Sequence, residues 1–219
     1  MKTILCYGDS NAWGNIAGSF NPETMLHQRY DYPERWTGLL QKILGEHYHV
    51  IESNLNGRST SFDEIGIVRP SRNGLTTLPG ILEMHYPLDM VVLMLGTNDL
   101  KAQYQAEVSC ISDGMRQLIH CVKASAFGKN GQMPLILVIA PAPIQWINSP
   151  LCKVFFDAHS VEKSRQLSSH YQQLAEEENC LFLDSADWVK VSPVDGIHID
   201  KDSHPILAKV VADKIRAIL

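Results

Sequence analysis

The sequence predicts an α/β sandwich built on a mostly parallel, five-stranded sheet. Three observations carry that expectation. Short apolar runs alternate with stripes of helical period along all 219 residues, the pattern of strands and helices taking turns. The run Leu88–Leu95 is apolar at nearly every position, as in a parallel strand covered on both faces. No repeat, low-complexity tract or linker interrupts the alternation, so a single domain over residues 1–219 is expected.

Taken in order, Thr3–Tyr7 reads as a buried strand ending in a turn at Gly8. Residues 15–32 are irregular, broken by Gly18, Pro22 and then Pro33. Trp36, Leu39, Leu40, Ile43 and Leu44 share one helix face, with Gly45 at its end. His49–Leu55 is the second strand. A polar loop with Pro70, Gly74 and Pro79 follows, then a short helix over Leu78–His85. After the strand Leu88–Leu95 come a helix striped by Val108, Ile111, Met115, Leu118, Ile119 and Val122, and the strand Leu135–Ala140. The stretch from Pro141 to Phe156 reads as a long surface loop. Leu167, Tyr171 and Leu174 mark a helix, Cys180–Leu183 a fifth strand, and Ile206 to Ile218 the last helix. Crossovers in such a sheet are right-handed, and ligands bind beyond the carboxyl ends of its strands.

Composition narrows the class. The formal net charge is −5 and no Lys/Arg cluster marks one face, so no nucleic-acid partner is expected. The five cysteines are scattered and lack any CxxC pair, which argues against a disulfide framework and a zinc site and for a reducing compartment. Of these, Cys6, Cys110, Cys121 and Cys180 lie in apolar segments. The apolar run after Lys2 is too short for a secretory signal, and no stretch approaches the roughly 20 residues of a membrane span. The expectation is a cytoplasmic, soluble protein.

Four polar clusters fall at or near strand ends: Ser10 after the first strand, Gly57 after the second, Asn98 after the third, and Asp195 with His198 before the last helix. A serine hydroxyl is a weak nucleophile until a base takes its proton. His198 suits that task near neutral pH, and Asp195 is close enough in the chain to hold the second imidazole nitrogen. The Ser10 backbone N–H at a helix start, the unobstructed N–H of Gly57 and the side-chain amide of Asn98 are the candidate oxyanion donors.

Gly8-Asp9-Ser10-Asn11, Gly57, Gly96-Thr97-Asn98-Asp99 and Asp195-Gly196-Ile197-His198 resemble, in order, the four blocks of the SGNH hydrolases, or GDSL esterases. Arg35-Trp36-Thr37-Gly38 and Leu95-Gly96-Thr97-Asn98-Asp99 resemble the arylesterase/acyltransferase branch. The resemblance implies a flavodoxin-like three-layer α/β/α fold and an esterase without metal or cofactor. It implies Ser10 as nucleophile, His198 as base, Asp195 as its partner, and Ser10, Gly57 and Asn98 as oxyanion hole. It also implies that an alcohol can replace water as acyl acceptor. Position 11 is Asn where the family name has Leu, a position not catalytic in the family.

Each block alone has an ordinary explanation. Asp-Ser after a strand is a common helix cap, and Gly-Thr-Asn-Asp and Asp-Gly are common turns. Their order and placement at element ends favour the catalytic reading. Asp9 and Asp99 are expected to bond loop backbone. His85, His120, His170 and His204 have no motif around them, and no HExxH appears, so no metal is expected. Trp13, Trp146, Phe155 and Phe156 either line an acyl or alcohol pocket or pack the long loops and a contact between copies; Lys101 is expected to be solvated. The expected partners are a small-molecule ester and further copies of the chain. The alternative is a phosphate- or nucleotide-binding module on the same fold, against which stands the lack of GxxxxGK or GxGxxG after the first strand.

Overall fold

The computed structural model describes residues 1–64 and 69–219. Five strands, β1 (Lys2–Gly8), β2 (Tyr48–Glu52), β3 (Met90–Met94), β4 (Leu135–Ala140) and β5 (Leu181–Asp184), form one sheet in the order β2-β1-β3-β4-β5. Every pairing is parallel. That order is the doubly wound, flavodoxin-like one.

Strand alternation sends side chains to two apolar layers. Leu5, Tyr7, Val91, Leu93 and Val138 face one layer, closed by α3 (Gly74–His85), α4 (Val108–Ser125) and α7 (Leu167–Glu177). Ile4, Cys6, Val92, Leu137 and Ile139 face the other, closed by α2 (Trp36–Leu44) and α8 (Ser203–Arg216). Helices on both faces explain why β3 and its flanks carry hardly any polar residue. Trp36, Leu40, Leu207, Val211 and Ile215 are all essentially buried, and α2 and α8 pack together there.

Several expectations need correction. The stretch 141–156 is not simply a surface loop. Ser149 caps a short helix, α5 (Pro150–Phe155), by accepting from the Cys152 N–H, and Leu151, Cys152 and Phe156 are buried. A further helix, α6 (Ala158–Ser164), starts at a reciprocal capping pair of Asp157 and Ser160. Pro79 does not break the chain. It lies inside α3, where the full burial of Leu78 and Leu82 outweighs one lost backbone bond. Of the cysteines in apolar segments, Cys110 is exposed, on the outer side of α4, whereas Cys152 is buried. The part of the polar loop at 65–68 lies outside the described residues.

The chain leaves β1, β2 and β3 at one edge of the sheet, and the turns there contain Ser10, Gly57 and Asn98. The segment 15–32 stays irregular apart from isolated bridges and folds over that edge.

Candidate active site

Ser10 sits at the first position of a four-residue helix, α1 (Ser10–Trp13). Asp9 caps it, its Oδ1 accepting from the Asn11 N–H at 2.9 Å. The turn is tight enough to demand glycine at position 8, where a Cβ would lie 2.5 Å from the Ala12 Cβ. The Asn11 and Trp13 N–H groups are taken up by Asp9, whereas the first N–H of the helix, that of Ser10, has no partner within the turn.

His198 reaches this turn from the opposite end of the chain. Its Nε2 lies 2.9 Å from Ser10 Oγ and its Nδ1 2.7 Å from Asp195 Oδ2. All three residues are at most 5% exposed. Burial pushes the Asp195 carboxyl up. The hydrogen bond and charge of His198, with the His198 and Ile197 backbone N–H groups, outweigh it and hold the group down to about 2. The Gly18 N–H donates to Oδ2 as well, at 3.0 Å. An ionised carboxylate only accepts, so Nδ1 carries the proton and Nε2 is left as the basic nitrogen facing Ser10.

Asn11 ties the Ser10 turn to the His198 loop. Its Nδ2 donates to the Ile197 carbonyl at 3.3 Å and its Oδ1 accepts from the Ile199 N–H at 3.0 Å. Below the loop, Ser149 Oγ and Cys152 Sγ donate to the Asp195 carbonyl at 3.2 and 3.1 Å.

The three candidate donors line one pocket with Ser10 and His198. Gly57 has φ +81°, a conformation that favours glycine, and a Cβ there would lie 3.0 Å from Arg69 Nη2. Among the described residues, the Ser10 and Gly57 backbone N–H groups have no hydrogen-bond acceptor. Asn98 is buried, and one N–H of its amide donates to the Arg58 carbonyl at 3.1 Å, which fixes the amide and leaves the other N–H for a ligand. Arg58 is itself buried, donating to the Gly8 carbonyl at 3.0 Å and lying over the Tyr7 ring.

Asp9 and Asp99 stand behind these groups. Asp99 Oδ1 accepts the Thr60 N–H and hydroxyl at 2.9 and 2.5 Å. Burial raises both carboxyls to about 6, against these bonds and the Asn11 N–H.

The remaining candidates divide. Phe155 and Phe156 line the pocket. Trp13 lines a neighbouring groove instead, beneath the Arg29 guanidinium. Trp146 is 51% exposed and contributes to neither. Lys101 is not solvated: it is 5% exposed, 3.7 Å from Glu64 and above the Phe155 ring, in the pocket wall. His204 is buried under α2, its Nδ1 accepting from the Trp36 N–H, far from the role of a second base. Sequence reasoning missed Phe20, Met25 and His27, which the irregular segment 15–32 contributes to the pocket. The His27 ring stands edge-on to His198, centroids 6.0 Å apart. Burial and the neighbouring cations lower its pKa to about 4, so it is neutral near pH 7. The free volume of the pocket is about 40 Å³, room for a few water-sized atoms. Among the described residues no cluster of His, Cys, Asp and Glu is arranged to hold a metal ion.

Comparison with known proteins identifies the family. Residues 6–205 match the model of the GDSL-like lipase/acylhydrolase family. A carbohydrate acetylesterase from Sinorhizobium meliloti is 36% identical over 100% of both chains, with a TM-score of 0.91. The native aryl esterase of M. smegmatis is 33% identical over 100% of both chains, with a TM-score of 0.92. None of the curated proteins compared matches the sequence. A nucleotide-binding module is not favoured by these similarities.

Proposed function

Because the chain belongs to the GDSL-like lipase/acylhydrolase family and is a carboxylic ester hydrolase, we propose that Ser10 is its nucleophile, His198 its general base and Asp195 the group that orients and stabilises the imidazole. The observation that supports this assignment is the continuous Ser10 Oγ–His198–Asp195 path, with contacts of 2.9 and 2.7 Å.

In this reading Ser10 Oγ attacks the ester carbonyl carbon while its proton passes to His198 Nε2. The carbonyl oxygen becomes an oxyanion facing the Ser10 N–H, the Gly57 N–H and the free N–H of Asn98. Each such donor lowers the barrier by about 3 kcal/mol. The C–O bond to the alcohol then breaks, and the alkoxide takes the proton from Nε2. A water molecule, or an alcohol, repeats the sequence on the acyl-enzyme and frees Ser10. Asp195 remains ionised throughout, which its pKa of about 2 supports.

The small pocket beside Ser10 supports short acyl groups, acetyl first. The printed activities of the two relatives, acetylesterase and aryl esterase, are in line with that preference. Acyl transfer to alcohols belongs to the same proposal, since the acyl-enzyme does not distinguish water from alcohol by mechanism. Among the described residues no helix is long and apolar enough to cross a membrane. A cytoplasmic location rests on the five free cysteines. A homo-oligomer is supported by the exposed apolar side chains of Trp146, Val154 and Val194, 51%, 58% and 59% accessible; sedimentation measures it.

Turnover of p-nitrophenyl acetate tests the assignment. Ser10→Ala abolishes it while the melting temperature stays near that of the parent protein. Retained turnover in a folded Ser10→Ala protein removes Ser10 from the mechanism.

A further inference from the structure

The catalytic pocket adjoins a second groove, and the two share Met25, His27, Asn56 and Arg69. Beyond the shared wall the groove has an apolar side, Trp13 and Leu55, and a charged end, Arg72. Among the described residues lining pocket and groove, Arg69, Arg72 and Lys101 are basic and none is a carboxylate. This concentration of positive charge occurs in a chain of net charge −5.

One carboxylate, Glu64, pairs directly with two of the three cations. It takes two hydrogen bonds from Arg69, each at 2.5 Å, and lies 3.7 Å from Lys101. Arg72 is left without a carboxylate partner among the described residues. Its Nη1 donates to the neutral Pro70 carbonyl at 2.8 Å, and its Nε is buried with no acceptor among the described residues. That Nε lies beside the oxyanion donors, 3.7 Å from where a Gly57 Cβ would be. Glu64 acts on Arg72 only at a distance and is shared with two nearer cations, so a half-buried guanidinium with an unsatisfied donor gains from a ligand that supplies an acceptor.

We propose that this groove receives the alcohol part of the ester and that the alcohol bears a carboxylate, which pairs with Arg72. The proposal rests on the esterase reading above. In this reading the small pocket at Ser10 takes the acyl group and the groove takes the leaving alcohol, which carries the charged group. The body of that alcohol lies along Trp13 and Leu55. A planar carboxylate matches the fork of a guanidinium, and the pairing is strengthened by partial burial.

The test compares kcat/KM for 4-acetoxybenzoate and its methyl ester, methyl 4-acetoxybenzoate. The two differ in the charge at the far end of the leaving phenol. The carboxylate activates the phenoxide less, so intrinsic reactivity runs against the expected preference. The parent enzyme favours 4-acetoxybenzoate by about five- to tenfold, the difference lies in KM, and added salt shrinks it. Arg72→Gln collapses the ratio and Arg72→Lys keeps part of it. Should Arg72→Gln fail to fold, competition on the parent enzyme decides: 4-hydroxybenzoate inhibits p-nitrophenyl acetate turnover more strongly than 4-hydroxybenzamide. A ratio of one or below in the parent enzyme, an unchanged ratio in folded Arg72→Gln, or equal inhibition by the two phenols overturns the proposal. Hydrolysis of both esters without preference removes this inference alone. Failure to hydrolyse either ester, or p-nitrophenyl acetate, removes the esterase reading with it.

Discussion

The Asn11 side chain accepts a hydrogen bond from the Ile199 N–H at 3.0 Å, across 188 positions of the chain, and its amide donates to the Ile197 carbonyl at 3.3 Å. These two residues flank His198, so one amide fixes the imidazole's backbone relative to the Ser10 turn. The distance from Ser10 Oγ to Nε2 is thereby set by the residue next to Ser10.

Asn11→Ala therefore misplaces the base. The expected loss in kcat is about 10- to 100-fold, with KM little changed and a fall in melting temperature of a few degrees from two lost buried bonds. Asn11→Asp keeps the acceptor for Ile199 but turns the Ile197 carbonyl toward a carboxylate oxygen. It is expected to be as damaging as alanine. Steady-state kinetics with thermal melts on both variants check this; an alanine variant with parent kcat contradicts it.

Gly57→Ala tests the oxyanion hole through the backbone. At φ +81°, with Arg69 Nη2 3.0 Å from the new Cβ, the turn must shift and carry its N–H away. Stability falls by about 1–2 kcal/mol, and kcat falls by about tenfold or more. A chemical-denaturation curve and kcat measured together separate the two effects.

Acyl length reads the pocket directly. With a free volume of about 40 Å³, acetate esters fit and octanoate esters do not. A p-nitrophenyl series should fall by about 100-fold in kcat/KM from acetate to octanoate. A flat or rising series shows that the acyl chain lies elsewhere.

The buried carboxyls give a pH signature. Asp99 and Asp9 have folded pKa values raised to about 6, above about 3.9 for an unfolded Asp. The folded state then binds more protons than the unfolded one, so their contribution is complete below about pH 4 and is lost as pH rises through 6. His27 and His204, lowered to about 4, bind more protons unfolded and pull the other way over the same window. The parent profile therefore mixes both signs, and the comparison with Asp99→Asn isolates one. Asp99→Asn keeps Oδ1 for Thr60 and removes the charge, so its melting temperature gains on the parent between pH 4 and 7. Parallel profiles would show that Asp99 is ionised at neutral pH without penalty.

How much of this was legible in the sequence depends on what kind of order each part uses. The run Leu88–Leu95 and the stripe from Trp36 to Leu44 announce a strand and a helix because burial imposes a period. Ser10, Asn98, Asp195 and His198 stand at strand ends or before a helix, so residue type and position together mark them. Phe20, Met25 and His27 could not be found that way, because segment 15–32 is held by isolated bridges and by the bond from Gly18 to Asp195, which leave no period. Lys101 read as solvated because the carboxylate that accompanies it into the interior, Glu64, is 37 positions away. Arg58 was hidden likewise, its charge placed over Tyr7 by a turn that only the fold brings there. The Cys152 helix was obscured by the prolines around it, although Ser149 before Pro150 is a recognisable cap.

The central claim is that Ser10 is activated by His198. One equivalent of a fluorophosphonate followed by peptide mass spectrometry tests it most directly. The account predicts a single adduct on the peptide bearing Ser10, lost in Ser10→Ala and slowed by orders of magnitude in His198→Ala. An adduct on another serine, or labelling of Ser10 at the parent rate without His198, would contradict it.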